Sequence, residues 1–325
     1  MCIVSELSNI VTASGNIRKS NAAIASKSMK ILRRCLSMIY DLQKVFMKSS
    51  YRLIMLTVAH TPDADDAFMF YAMTSGKLPI EVRHVIEDIE SLNKKAFNAE
   101  LDVTALSAHA YALLHDRYRI LSAGASVGDG YGPVVVAKEE IEVSDIKIAV
   151  PGRYTTANLL LKLAASDLEF NFESVEIRFD SIIEAVKNGA VNAGLLIHEG
   201  QVTYTQQNLT CILDLWDWWS NKTGLPLPLG INVIKRTIPE ATQKEFLEKM
   251  RESIKYALEN QDEAIDYAMK YSRGHDKALV KKFALMYVNE YTYEMDSRVV
   301  NALNELYNLA ESCGLLRKPV LDILF

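Results

Sequence analysis

His198 directly follows the apolar run Ala193-Gly-Leu-Leu-Ile197. If that run is a strand, the imidazole projects at its carboxyl end, where a neutral ring titrating near physiological pH can take a proton from a hydroxyl group. A histidine in that place reads equally as a structural loop residue, and Glu199 as its orienting partner or as a solvated neighbour. Ser107, Thr155 and Thr156 stand where helices are expected to begin. Hydroxyls beside the first N–H groups of a helix can hold an anion, although the same residue types also simply cap helices. Arg153 would add positive charge there or pair with surface acids. Asp65 and Asp66 follow Asp63 into a first helical turn, where acids complement the helix dipole. No further acid or histidine spacing completes a ligand set around them, so no metal site is expected. His60 ends a strand and is a candidate for the cleft wall, His109 is a weaker one, and Trp216, Trp218 and Trp219 read as packing anchors.

These side chains need elements to carry them. Leu56–Ala59, Glu81–Ile86, Asp102–Thr104, Ile146–Val150, Val175–Phe179 and Ala193–Ile197 read as short strands. Amphipathic helices alternate with them, over Ala64–Met73, Asp88–Asn98, from about Ser107, from about Thr155, and over Ile182–Asn188. After Pro239 the chain reads as almost continuous helix to Leu316. Such alternation with brief loops implies an α/β protein with largely parallel sheets. Ligands in these folds bind at the carboxyl ends of strands. The candidate segments are therefore His60–Asp66, Ala105–His109, Arg153–Ala157 and His198–Gln201, which suggest one cleft between two lobes. Gly124, Gly128, Gly130 and Gly132 fall within nine residues and feed the strand Pro133–Ala137. Gly224-Leu-Pro-Leu-Pro-Leu-Gly230 feeds Ile231–Ile234 in the same manner. Two such crossings are what a chain needs to pass from one lobe to another and back. The expected division is 55–138 and 232–325 for the first lobe and 139–231 for the second.

The composition narrows the function. The chain has 325 residues, 49% apolar and 24% charged, with a net charge of -5. That balance lacks the basic footprint of a nucleic-acid binder. No window approaches the ~18 consecutive apolar residues of a membrane span. The glycine cluster matches neither the dinucleotide fingerprint nor the Walker loop. Cys2, Cys35, Cys211 and Cys313 are unpatterned and fit reduced thiols. Residues 1–54 hold nine basic and two acidic side chains, a balance of +7 that leaves -12 for the remaining 271 residues. This segment lacks the apolar core of a secretory signal. It reads as sequence upstream of a true start at Met47 or Met55, with a solvated basic helix around Lys27–Lys48 or a transit peptide as alternatives.

Five segments recur in matching order in one known family: Asp102-Val-Thr-Ala-Leu-Ser107, Ser122-Ala-Gly-Ala125 with Gly130-Tyr-Gly-Pro-Val-Val-Val136, Val150-Pro-Gly-Arg-Tyr-Thr-Thr-Ala157, Leu196-Ile-His-Glu-Gly-Gln201 and Trp218-Trp-Ser-Asn-Lys-Thr-Gly-Leu-Pro-Leu-Pro-Leu-Gly230. Over about residues 55–315 the chain resembles the 1,4-dihydroxy-6-naphthoate synthases of menaquinone biosynthesis, lyases that act on cyclic dehypoxanthine futalosine. The resemblance implies a two-lobed type II periplasmic-binding-protein-like α/β fold, each lobe a mixed, mostly parallel sheet flanked by helices. It also implies a cytoplasmic, cofactor-free enzyme with a small carboxylate substrate and no nucleic-acid or membrane partner. His198 becomes the general base, and Ala105, Leu106, Ser107, Thr155, Thr156 and Ala157 become substrate-binding residues. The chain departs from the family at His60-Thr-Pro-Asp-Ala-Asp-Asp-Ala-Phe68, where Ser-Pro-Cys-Pro-Asn-Asp-Thr-Phe is usual, and at Ala105, where lysine is common. The first wall of the cleft has therefore changed. The competing readings are a solute-binding protein of the same fold, which needs export, and a chorismate dehydratase-like enzyme, against which the Ile-His-Glu and Thr-Gly-Leu-Pro-Leu-Pro segments count.

Overall fold

The computed structural model describes residues 55–271 and 276–325; the readings made for residues 1–54 lie outside the described residues. Twelve strands are described: β1 Leu56–His60, β2 Val82–Ile86, β3 Val103–Ser107, β4 Tyr118–Leu121, β5 Ser126–Gly128, β6 Val134–Ala137, β7 Ile146–Val150, β8 Phe172–Glu176, β9 Ala193–Leu196, β10 Thr210–Asp214, β11 Leu227–Lys235 and β12 Ile323–Leu324. They form two sheets. The first runs β12-β4-β11-β3-β1-β2, with β5 paired to β11; the second runs β10-β6-β9-β7-β8.

The first sheet begins as the sequence pattern implies. β1 lies between β2 and β3 with both pairings parallel, and its five residues are all buried. A central parallel strand is covered on both faces, so a continuous apolar run is what it needs. The expectation of mostly parallel sheets does not hold, because each sheet contains equal numbers of parallel and antiparallel pairings. Every antiparallel pairing involves β6 or β11. These two strands carry the chain across, so each enters its sheet against the direction of its neighbours.

Sheet membership also moves the lobe boundaries. Val134–Ala137 is hydrogen-bonded to β9 and β10 in the second sheet, and Leu227–Gly230 to β5 in the first. The crossings therefore fall near 129–133 and 224–226 rather than at 138 and 231. The four buried residues of β6 need a sheet neighbour on each side, whereas Asp129–Pro133 lies outside any strand. A second correction concerns β8, which lies three residues before the expected Val175–Phe179. Its register with β7 pairs Ile146 with Phe172 and Val150 with Glu176. As an edge strand it is only half-covered, so its burial pattern gave a weak signal.

Helices flank both sheets. In Glu240–Glu259 the buried side chains Phe246, Leu247, Met250, Ile254 and Ala257 fall on one face and pack with Phe68 and Phe70 of the first lobe. Trp219 is fully buried, its indole N–H donating to the carbonyls of Leu225 and Pro226. The indole N–H of Trp218 donates to Asp167 at 2.9 Å. These two rings anchor the helix Leu215–Thr223 and stand away from the cleft, as their reading as packing anchors requires.

Candidate active site

The four post-strand segments converge on one cleft. Thr61, Asp63, Asp65 and Asp66 line it from the end of β1, Ala105 and Ser107 from β3, Thr155–Ala157 from beyond β7, and Ile197, His198 and Gln201 from beyond β9. Leu106 is the exception among the expected substrate-binding residues. Successive strand residues face opposite sides, so Ala105 and Ser107 reach the cleft while Leu106 is fully buried in the core. His109 is buried behind the wall, with its ring Nδ1 3.3 Å from the Thr155 carbonyl, and burial lowers its pKa to about 4. His60 is also fully buried, and Arg153 is exposed with its guanidinium over the Tyr154 ring. Among the described residues no lysine or arginine lines the cleft.

At one end of the cleft stands the helix Thr156–Asp167, with Thr155 as its N-cap. The Thr155 hydroxyl accepts from Asn158 N–H at 3.2 Å and donates to the Gly152 carbonyl at 2.9 Å. Thr156 donates its hydroxyl to the Leu229 carbonyl at 2.5 Å. Both hydroxyls are thus engaged within the protein, and an anion here would meet the first helical N–H groups, those of Thr156 and Ala157. Ser107 does not cap its helix. Its N–H and Oγ bond to the two ends of the Asn93 amide, each at 3.0 Å, and Oγ is the acceptor there. Its own hydroxyl proton is left to donate into the cleft. The neighbouring turn is clamped across the lobes, since the Glu90 carboxylate accepts from Tyr154 N–H at 3.1 Å. A Cβ on Gly152 would lie 2.4 Å from Glu90 Cγ, so only glycine admits this approach.

At the other end is an acidic cluster. Asp63 is the N-cap of the helix Ala64–Met69, yet its side chain makes no capping bond. Its Oδ2 instead lies 2.8 Å from His198 Nδ1. The sequence suggests Glu199 as the partner of His198 and carries no local sign of Asp63, which lies on a distant segment. Asp66 accepts from the Thr61 N–H at 2.7 Å and hydroxyl at 2.8 Å, which closes the turn after β1 rather than capping the helix. Burial pushes the Asp66 carboxyl up to about 6 despite those two bonds. Asp65 is pushed well above the ordinary carboxylate range by burial, then by the charges of Asp66, Asp63 and Glu199. His198 itself has a backbone φ of +57°, a left-handed conformation that non-glycine residues adopt at a cost. The Gln201 amide, oriented to satisfy both its ends, accepts from the His198 N–H at 3.0 Å and donates to the Gly132 carbonyl at 2.6 Å. The Phe179 ring stands edge-on to the imidazole at 4.9 Å. Among the described residues, no group of three or more His, Cys, Asp and Glu side chains is arranged to hold a metal ion.

Two mixed α/β lobes, crossed twice by the chain and enclosing a cleft at their strand ends, define a periplasmic-binding-protein-like fold. Solved structures at low identity share that fold, including the alkanesulfonate-binding protein SsuA from Xanthomonas axonopodis pv. citri, 12% identical with a TM-score of 0.62 over 83% of this chain and 97% of that one. A family model described as menaquinone biosynthesis matches residues 56–312. The chain belongs to the 1,4-dihydroxy-6-naphthoate synthase family of menaquinone-biosynthesis enzymes. It is 37% identical over 263 residues to the synthase of Thermus thermophilus, covering 80% of this chain and 95% of the relative. It is 31% identical over 268 residues to that of Streptomyces coelicolor, covering 80% and 94%. The crystal structure of protein AF1704 from Archaeoglobus fulgidus is 66% identical, with a TM-score of 0.78 over 80% of this chain and 98% of that one. Among the described residues no helix is long and apolar enough to cross a membrane.

Proposed function

We propose that this chain is a 1,4-dihydroxy-6-naphthoate synthase, a carbon–carbon lyase that converts cyclic dehypoxanthine futalosine to 1,4-dihydroxy-6-naphthoate with His198 as general base. The observation that carries this reading is the pairing, in one cleft, of His198 with the first N–H groups of the helix Thr156–Asp167 and the Ser107 hydroxyl. A body with net charge -12 and, among the described residues, no lysine or arginine on its cleft wall has to hold a carboxylate with oriented N–H and O–H donors. With the carboxylate at that end, the sugar-derived portion of the substrate extends toward His198. The imidazole takes a hydroxyl proton; the electrons left on oxygen form a carbonyl as the adjacent carbon–carbon bond breaks, and the pair from that bond passes to the ring fragment, which leaves as the dihydroxynaphthoate. General-base assistance of this kind contributes about 10²–10⁴-fold.

The test is incubation of the purified chain with cyclic dehypoxanthine futalosine and, separately, with chorismate. Release of the dihydroxynaphthoate from the first supports the reading. Turnover of chorismate instead makes the chain a dehydratase, and tight binding of a small anion without turnover of either makes it a solute-binding protein. His198→Asn should fold and bind as the wild type does while losing turnover; substantial residual turnover refutes the base role.

A further inference from the structure

The carboxylate that meets His198 comes from the opposite lobe. Asp63 follows β1 of the seven-stranded sheet, and His198 follows β9 of the five-stranded one. We propose that Asp63 is a positioning residue for His198, and that the general base is assembled only when the two lobes close on the substrate. This inference rests on the assignment of His198 as the base.

Three features of the geometry support it. Carboxylate and imidazole are 2.8 Å apart, with side-chain exposures of 2% and 15%, so the contact is made largely out of water. A carboxylate at Nδ1 fixes the proton on that nitrogen and leaves the Nε2 lone pair as the base. Asp63 also occupies an N-cap position, where a carboxylate would ordinarily take helix N–H groups, and it makes no such bond. Its turn is held independently: Thr61 is bound through both N–H and hydroxyl to Asp66, and Asp63 N–H donates to the Thr61 hydroxyl at 3.4 Å. Only the lobe-to-lobe distance then decides whether the two groups meet. Rotation at the crossings near 129–133 and 224–226 would part them. In the open form His198 Nδ1 would lose this carboxylate.

The titratable groups that face this pair are Asp65 and Asp66 on the same helix, Glu199 beside the histidine, and the buried His60 at the end of β1, which feels the charge of Asp63. The pH profile of Asp63→Asn therefore has to be read against theirs, which the substitution leaves in place. The experiment measures kcat and KM for cyclic dehypoxanthine futalosine from pH 5 to pH 9 for wild type, Asp63→Asn, Asp63→Ala and His198→Asn, with unfolding temperatures for each. Both Asp63 variants should lose about 10- to 100-fold in kcat with KM within threefold, because the base rather than the binding surface is disturbed. The acid limb of the profile should also move to lower pH, since the carboxylate that favours the imidazolium is gone. Asp63→Asn with kcat within threefold of wild type and an unmoved limb overturns the inference while leaving His198 as the base. A loss of kcat that merely follows a lowered unfolding temperature, again with the limb unmoved, marks a structural role and also overturns it. Substantial turnover by His198→Asn refutes the base assignment, and this inference with it.

Discussion

Replacement of His60 by phenylalanine should change how stability depends on pH by an amount the structure specifies. The His60 ring ends β1, fully buried, stacked on Phe70 with centroids 4.7 Å apart and planes 8° apart. Its Nδ1–H donates to the Thr61 carbonyl at 2.8 Å, and Nε2 has no hydrogen-bond partner among the described residues. Burial lowers its pKa from 6.5 to about 4. Between those values the unfolded chain binds a proton that the folded protein does not, so the stability this neutral ring supports is full above 6.5 and lost as pH falls toward 4. Moving from pH 7 to pH 5 should cost the wild type roughly 2 kcal/mol through this one ring. Phenylalanine keeps the stack, cannot take up a proton, and loses the bond to Thr61, which costs about 1 kcal/mol at either pH. Urea unfolding of both proteins at pH 7 and pH 5 reads the difference: Asp65 and Asp66 titrate in both, and His84, lowered chiefly by its own burial, loses only the smaller effect of the His60 charge. The stability gap should shift by roughly 2 kcal/mol in favour of His60→Phe at the lower pH. Parallel pH dependence in the two proteins would refute the assignment of a buried neutral imidazole at this position.

Two further substitutions probe other parts of the scaffold. A Cβ on Gly194 in β9 would stand 2.4 Å from Ile182 Cγ2 and 2.9 Å from Val186 Cγ2. Gly194→Ala should therefore cost about 1–3 kcal/mol by overpacking, with partial recovery in a Val186→Ala background; an unchanged unfolding temperature would show that the helix Ile182–Asn188 yields freely. Asp65 has its carboxyl raised by burial and by three neighbouring acids, so wild-type stability falls as pH rises from about 3.8 through the folded value. Asp65→Asn removes that dependence, and its unfolding temperature relative to wild type should climb between pH 5 and pH 8; a falling difference would contradict the assigned shift.

Much of the architecture was legible because its causes are local. Apolar runs such as Leu56–Ala59 and Ile146–Val150 announce covered strands, and residues just beyond them line the cleft. The inward turn of Leu106 is legible too, through the strand period of two between Ala105 and Ser107. The partner of His198 was not. Asp63 lies 135 positions earlier, and nothing in the local chemistry of a residue at a helix start distinguishes a capping carboxylate from one turned toward another lobe. The crossings were placed about five residues late for a related reason. Glycine and proline mark where a chain can bend, but the sheet that claims Val134–Ala137 depends on β9 and β10, both far along the chain.

The placement of β11 has a consequence for biogenesis. The second sheet is built from residues 134–214, one uninterrupted stretch. The first sheet cannot be completed so early, because β11 lies between β3 and β4, and β4 is covered on its other side by β12 at residues 323–324. On a ribosome, β3 and β4 emerge first and wait with open edges while the second lobe is made and folds. Domains generally fold as units as the chain emerges, so this protein should finish its later-encoded lobe before its earlier one. Deleting Ile323–Phe325 would then expose β4, a strand made well before the second lobe.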